Sequence, residues 1–274
     1  MTQATDAGLP RTPSPLLRAR AAIAAEWIKL RSLRSIPLTL AVTVLLCIGF
    51  ADNVCSNNVA NYPTLNAADR AAFDPLFVNI NFVQIGVIFF GVLGALVVTN
   101  EYGSGLIHAT FAATPQRGLV LAAKTGLLGL IAFLASSVVI LVAFFTGQAI
   151  LSSGHVPSVG LGDPGVAGHL LGAICYLTAA GLMGVFIGVL SRSTAIAFTS
   201  VFGIFLVLPI LVDKLPHNAA WKHAGPYLPS NAGASLWGRH IQDFLGTTSA
   251  ALTLVAYLVV LAAAAAVSLR SRDV

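Results

Sequence analysis

Six runs of this chain are apolar and carry no Asp, Glu, Lys or Arg, and each is close to the length that a bilayer demands. A helix needs roughly 17–25 mostly apolar residues to span the hydrocarbon core. The runs predict helices over about 35–51, 77–99, 125–151, 165–190, 194–212 and 247–268. Lone Arg192 separates the fourth run from the fifth, so a tight turn is expected there. Only 9% of the residues are charged, against about 25% in soluble domains. A water-soluble globule of 274 residues could not bury that much apolar surface, whereas lipid can act as its solvent.

The flanks are of different character. Residues 1–15 are rich in Thr, Pro, Ala and Ser, and a disordered tail is expected. Residues 16–34 predict a basic amphipathic helix lying in the membrane interface. Leu16, Ile23, Trp27 and Leu30 fall near one face, while Arg18, Arg20, Lys29, Arg31 and Arg34 supply the charge. Trp27 suits the headgroup level. The plainer alternative is a basic leader that only sets topology. Residues 270–274 form a basic tail.

Lys and Arg positions set the expected orientation. Six precede the first run, and Arg117, Lys124, Arg192, Arg270 and Arg272 share their side if there are six spans. Arg70, Lys214, Lys222 and Arg239 lie opposite. Eleven against four predicts both termini in the cytoplasm, and the plasma membrane is the membrane expected. Residues 213–243 hold Trp221, Trp237 and three prolines, so that outside segment is expected to fold back onto the membrane surface.

Coupling chemistry is sparse. Ion-driven pumps place ionisable groups inside their spans, and the six runs have none. His169 sits at the outer end of the fourth run, where an interfacial role is the plain expectation. Asn79, Asn81 and Gln84 are candidate path-lining residues, with hydrogen bonding across helices as the simpler alternative. Gly184 and Gly188 form a GxxxG pair suited to close helix packing. Residues 118–125 nearly spell a phosphate-binding loop, but Ala123 stands where the second glycine is required. Cys47, Cys55 and Cys175 have no metal-like spacing, no metal site is expected, and nothing points to nucleic acid.

Four stretches resemble one family. They are AAEWIKLRSLRS at 24–35, EYGSGLIHATFAATPQRG at 101–118 with Lys124 beyond it, YLPSNAG at 227–233, and the final LRSRDV. Together they resemble the permease, or membrane subunit, of type-2 ATP-binding-cassette (ABC-2) exporters, of the actinobacterial kind. His108 departs from the pattern, since many relatives carry Arg there. The resemblance implies an all-α membrane protein with an N-terminal interfacial helix and six transmembrane helices. It implies a homodimer of permeases on two separate ATPase chains, which would bind the ATP and Mg while this chain binds no cofactor itself. The segment after the second span would be a coupling helix docking on the ATPase. Ser104 or Gly105 would start it and Pro115 would stop it. Glu101, Ile107, His108, Phe111 and Arg117 are its candidate contacts, with Ile107 and Phe111 on one face. Trp27, Lys29 and Arg31 would hold the N-terminal helix at the inner leaflet. The alternative class is a six-span membrane enzyme or anchoring protein not coupled to ATP. It would draw on Glu101, His108, Asp213, His217, His223 and His240.

Overall fold

A computed structural model describes residues 14–32, 35–107, 116–214, 223–238 and 245–271. Residues 1–13 of the tail expected over 1–15, and Arg34, His108, Phe111, Pro115, His217, Trp221 and His240, lie outside the described residues, while Pro15 already begins a helix. Among those that are described, the fold is all helix. The elements are α1 (Pro15–Ser32), α2 (Ser35–Asn61), α3 (Ala67–Ala71), α4 (Pro75–Ile80), α5 (Val83–Gly103), α6 (Arg117–Ser153), α7 (Val166–Ser191), α8 (Thr194–Phe202), α9 (Leu208–Lys214), α10 (Pro229–Trp237) and α11 (Thr247–Ser271). Six stretches are long and apolar enough to cross a membrane: Pro37–Thr64, Pro75–Gly103, Arg117–Ser153, Val166–Ser191, Thr194–Val212 and Thr247–Ser271. The architecture is that of a multi-pass membrane protein.

Two spans are longer than their apolar runs. The first helix does not stop at Ala51 but continues to Asn61. Asp52 therefore belongs to helical backbone, and the Thr146 hydroxyl donates to its carboxylate at 2.6 Å. The third begins at Arg117 rather than Thr125 and runs for 37 residues. At 1.5 Å per residue that is about 55 Å, well beyond the roughly 30 Å hydrocarbon core. Its first two turns are helix where a loop is expected. Residues 118–125 are helical. The second span starts at α4, where Asp74 accepts from the N–H groups of Leu76 and Phe77 and Pro75 takes the first turn. The chain then passes through Asn81 and Phe82 into α5.

α7 is the central helix, with 78% of its most apolar window buried, against 17% for the fifth and sixth spans. It meets α5 through small residues. An added Cβ at Gly184 would fall 1.9 Å from the Gly91 carbonyl oxygen, and one at Gly94 would fall 2.0 Å from that of Gly181. Gly188 lies over Ala95. The GxxxG pair therefore packs within the chain, backbone on backbone. Lipid offers no hydrophobic drive between helices, so such close approach supplies the van der Waals contact that holds them.

The end of the bundle away from the C-terminus of α11 is closed by α10. It lies against α7 and α11, with Ala232, Ala234 and Trp237 in the core. Gly233 lies on the Tyr176 ring, and Gly172 lies under the Leu236 carbonyl. Trp237 stacks on Phe77 with ring centroids 5.9 Å apart. Within the 213–243 segment, α10 thus packs into the bundle.

α1 departs from the expected membrane-facing stripe at Leu30. Ala22, Glu26 and Leu30, spaced four apart, are buried, while Leu16, Ile23 and Trp27 are exposed. Leu30 therefore leaves the proposed lipid face and joins the cluster of Val97, Leu121, Val185 and Leu269. The outward face keeps apolar Leu16, Ile23, Trp27 and Ile28 beside exposed Arg20 and Arg31. That face retains an interfacial composition.

Candidate functional site

Three ionisable side chains from three helices meet inside one end of the bundle. Glu26 comes from α1, Glu101 from the last turn of α5, and Lys124 from the second turn of α6. The Lys124 ammonium donates to Glu26 Oε2 and to Glu101 Oε1, each at 2.5 Å. Side-chain exposure is 5% for Lys124 and 3% for each carboxylate, so this is a buried cluster and not a surface pair. Lys29, half-exposed, adds a second cation to Glu26 at 2.6 Å. Two carboxylates thus face two ammonium groups, which removes the net charge that burial would otherwise forbid.

Local sequence builds this arrangement. Glu26 follows Ala22 by four residues and precedes Leu30 by four, so the carboxylate shares the narrow buried stripe of α1. Glu101 and Lys124 bracket the intervening segment. Both of its flanks are thereby tied to one ammonium, and α1 is tied to them. Burial alone would raise the Glu26 carboxyl, but the Lys124 and Lys29 charges and hydrogen bonds outweigh it and hold it below the ordinary value of 4.5.

The sign of that shift gives a prediction. A lowered carboxyl contributes stability that is complete above its unfolded value and is lost as pH falls through its folded one. α1 should stay docked at neutral pH and loosen as the medium is acidified below about 4. Hydrogen exchange of residues 15–32 at matched intrinsic rate should show protection falling over that window. Glu26→Gln should flatten the profile, and an unchanged profile in that variant would assign the loosening to another group.

The same end gathers further polar groups. Arg117 Nη1 donates to the Leu269 carbonyl at 2.6 Å, joining the start of α6 to the end of α11. The Arg192 guanidinium lies 5.6 Å from the Tyr102 ring centre. Ser104 donates to the Asn100 carbonyl at 2.8 Å and closes α5. Gly105 takes φ +72°, and helical backbone resumes at Leu106 and Ile107 before the description stops.

Several expected contacts are relocated. Glu101 is not on an exposed loop; it is sealed against Lys124. Ile107 is 4% exposed and packs within the chain, near a small apolar cavity lined by Val98, Tyr102, Val120, Leu121, Val189 and Leu269. It is therefore no free knob for a partner groove. Arg117 is half-buried on Leu269, whereas Trp27 and Arg31 are exposed. His108 and Phe111 are outside the described residues. The candidate path residues are not gathered. Asn79 is sealed and donates to the Ala143 carbonyl at 2.9 Å, Asn81 is half-buried, and Gln84 faces outward. Bonding across helices is what Asn79 does. His169 bonds the Gly165 carbonyl at the start of its own helix. Among the described residues, no three His, Cys, Asp or Glu side chains gather as metal ligands.

Glu26 was the residue that sequence reasoning passed over. Its signal was present: it is the only acidic side chain between Asp6 and Asp52, set among six bases, and it occupies the small-residue stripe of its helix.

No protein-family model matches this chain, and no curated protein matches it.

Proposed function

We propose that the chain is the permease subunit of an ABC-2 type exporter, forming the membrane path for a substrate expelled at the expense of ATP hydrolysed by a separate ATPase chain. The observation that supports this most is the three-way ion cluster. An export subunit without its own nucleotide site needs a cytoplasmic element that receives force and passes it to the spans. The segment between Glu101 and Lys124 has both flanks held by one buried ammonium, which also holds α1. A push on that segment, or on α1, reaches the second and third spans without slack. Charge placement supports the same side for this segment and the termini, the cytoplasmic face of the plasma membrane, by eleven Lys and Arg to four. Peripheral α2, α8, α9 and α11 leave surface for lipid and for a second copy of the permease.

The test is purification of the tagged chain in mild detergent from the cells that encode it. An ATPase chain should come with it in equal number, and the complex should hydrolyse ATP. Phe111→Asp should leave membrane levels unchanged and lose the ATPase, because a desolvated charge would oppose a docking contact of roughly 1.5–3 kcal/mol. Recovery of the chain alone, with enzymatic activity on a lipid and none on ATP, would replace this reading with that of a membrane enzyme.

A further inference from the structure

Glu101 uses only one of its carboxylate oxygens. Oε1 accepts from Lys124, while Oε2 is buried with no partner. Nearby, the Nε and Nη2 donors of Arg192 are also buried with no partner, as is the Tyr102 hydroxyl. Tyr102 is adjacent to Glu101 in sequence, carries the Arg192 guanidinium on its ring face, and lies within electrostatic reach of Arg192, Glu101 and Lys124. Buried polar groups are nearly always paired, and those carrying charge lose most when they are not. A cation and an anion both short of a partner, with one tyrosine between them, are a matched pair held apart.

We propose that Glu101 has two alternative cationic partners: Lys124, engaged in this structure, and Arg192, engaged in a second state. The exchange leaves no charge stranded. Lys124 retains Glu26 when it releases Glu101, so α1 stays tied to α6 in both states. What changes is the partner of α5, from α6 to the turn between α7 and α8. That turn is built to move. Arg192 has φ +54°, a left-handed conformation that a non-glycine residue adopts at a cost, and its N–H donates to the Gly188 carbonyl at 3.0 Å. The N-terminus of α8 has no side-chain cap from Ser193. The fifth span is among the least buried, and a π-helical segment at Gly203–Val207 interrupts it. Such segments recur where helices must adjust. Swinging the α8 end toward α5 brings Arg192 past the Tyr102 ring and onto Glu101. The exchange thereby makes the position of the fifth span legible at the segment that follows Glu101.

Spin labels at Gly103→Cys and Ala195→Cys test this, since both positions are exposed. Cys175→Ser removes the exposed native thiol, and Cys47 and Cys55 are buried. Distance distributions in nanodiscs should show two populations, one shorter than the other. Arg192→Gln should deplete the shorter about tenfold, and Arg192→Lys should retain it. Lys124→Met should enrich it, because Arg192 is then the only cation left for Glu101. A single population, or a shorter population equal in Arg192→Gln and the parent, overturns the proposal. The two Arg192 variants decide the matter even if Lys124→Met does not fold.

Discussion

Lys124→Met should cost the chain about 3–4 kcal/mol of stability at neutral pH. The methionine keeps most of the length and apolar stem of lysine, so packing changes little. What it removes is the charge that balances Glu26 and Glu101, both nearly sealed from water. Glu26 then keeps only half-exposed Lys29, and Glu101 has no cation unless α8 moves to bring Arg192 onto it. Molecules that do not make that move must protonate a buried carboxyl. Holding a carboxyl neutral some 2.5 pH units above its ordinary value costs about 3.4 kcal/mol at 1.36 kcal/mol per unit, which sets the size of the expected loss. A second readout follows from the sign. In the variant a folded-state carboxyl is raised, so stability is greater below its unfolded value and falls as pH rises. Acidification from pH 7 to 5 should therefore stabilise Lys124→Met while leaving the parent flat. Thermal unfolding in nanodiscs at both pH values measures this. Adding Glu26→Gln and Glu101→Gln to Lys124→Met should recover most of the loss, because the sealed charges are then gone and the Lys29 left behind is half-exposed. A variant within about 0.5 kcal/mol of the parent at pH 7 would mean that water reaches the cluster and that it is not a clamp.

What the sequence made legible, and what it hid, follows from lipid being the solvent. The six spans were readable because a bilayer excludes charge over a fixed thickness, and Arg192 marked the one tight turn. The close approach of α5 and α7 was readable in part, since glycines four apart on an apolar helix have few other uses. The buried face of α1 was not. The pattern reads Leu16, Ile23, Trp27 and Leu30 as one membrane-facing stripe and does not say which residues meet the bundle. Beside a membrane the exposed stripe can be the more apolar one. Here Leu16, Ile23 and Trp27 face outward while Ala22, Glu26 and Leu30 face the bundle. Ion pairing between distant positions was hidden for another reason. Glu101 and Lys124 bounded an apparent loop, and charges at span ends ordinarily face water. Only the early start of α6 at Arg117 places Lys124 on a helix surface that α1 and α5 can cover.

The cluster and the glycine seam divide the labour of holding α5. Near the segment that follows it, α5 is fixed by charge, and the charge can be reassigned between cations. Further along, it is fixed by close backbone contact with α7. A helix held rigidly along its length and switchably at its tip is suited to passing a tip displacement to its neighbours, consistent with the exporter reading proposed above.

Gly184→Ala should be the most damaging single-methyl addition in the chain. The new Cβ would fall 1.9 Å from the Gly91 carbonyl oxygen and 2.8 Å from its carbon. Both are backbone atoms of α5, so no side-chain rotation can relieve the overlap. The helices must separate by about 1.5 Å to restore ordinary contact, and a gap of 0.5–1 Å already forfeits a quarter to a half of each dispersion well along the seam. The expected loss is at or above the upper end of the usual range for overpacking, about 3 kcal/mol. Gly188→Ala meets the Ala95 carbonyl at 3.0 Å and should cost less, because a few tenths of an ångström suffice. Gly126→Ala lies on the same kind of apolar helix with nothing within 4 Å. It should be neutral or gain up to about 1 kcal/mol from helix propensity. Thermal unfolding of the three variants in nanodiscs should rank them in that order. If Gly184→Ala unfolds with Gly126→Ala, then α5 and α7 do not pack backbone to backbone, and the seam that organises the bundle is wrong.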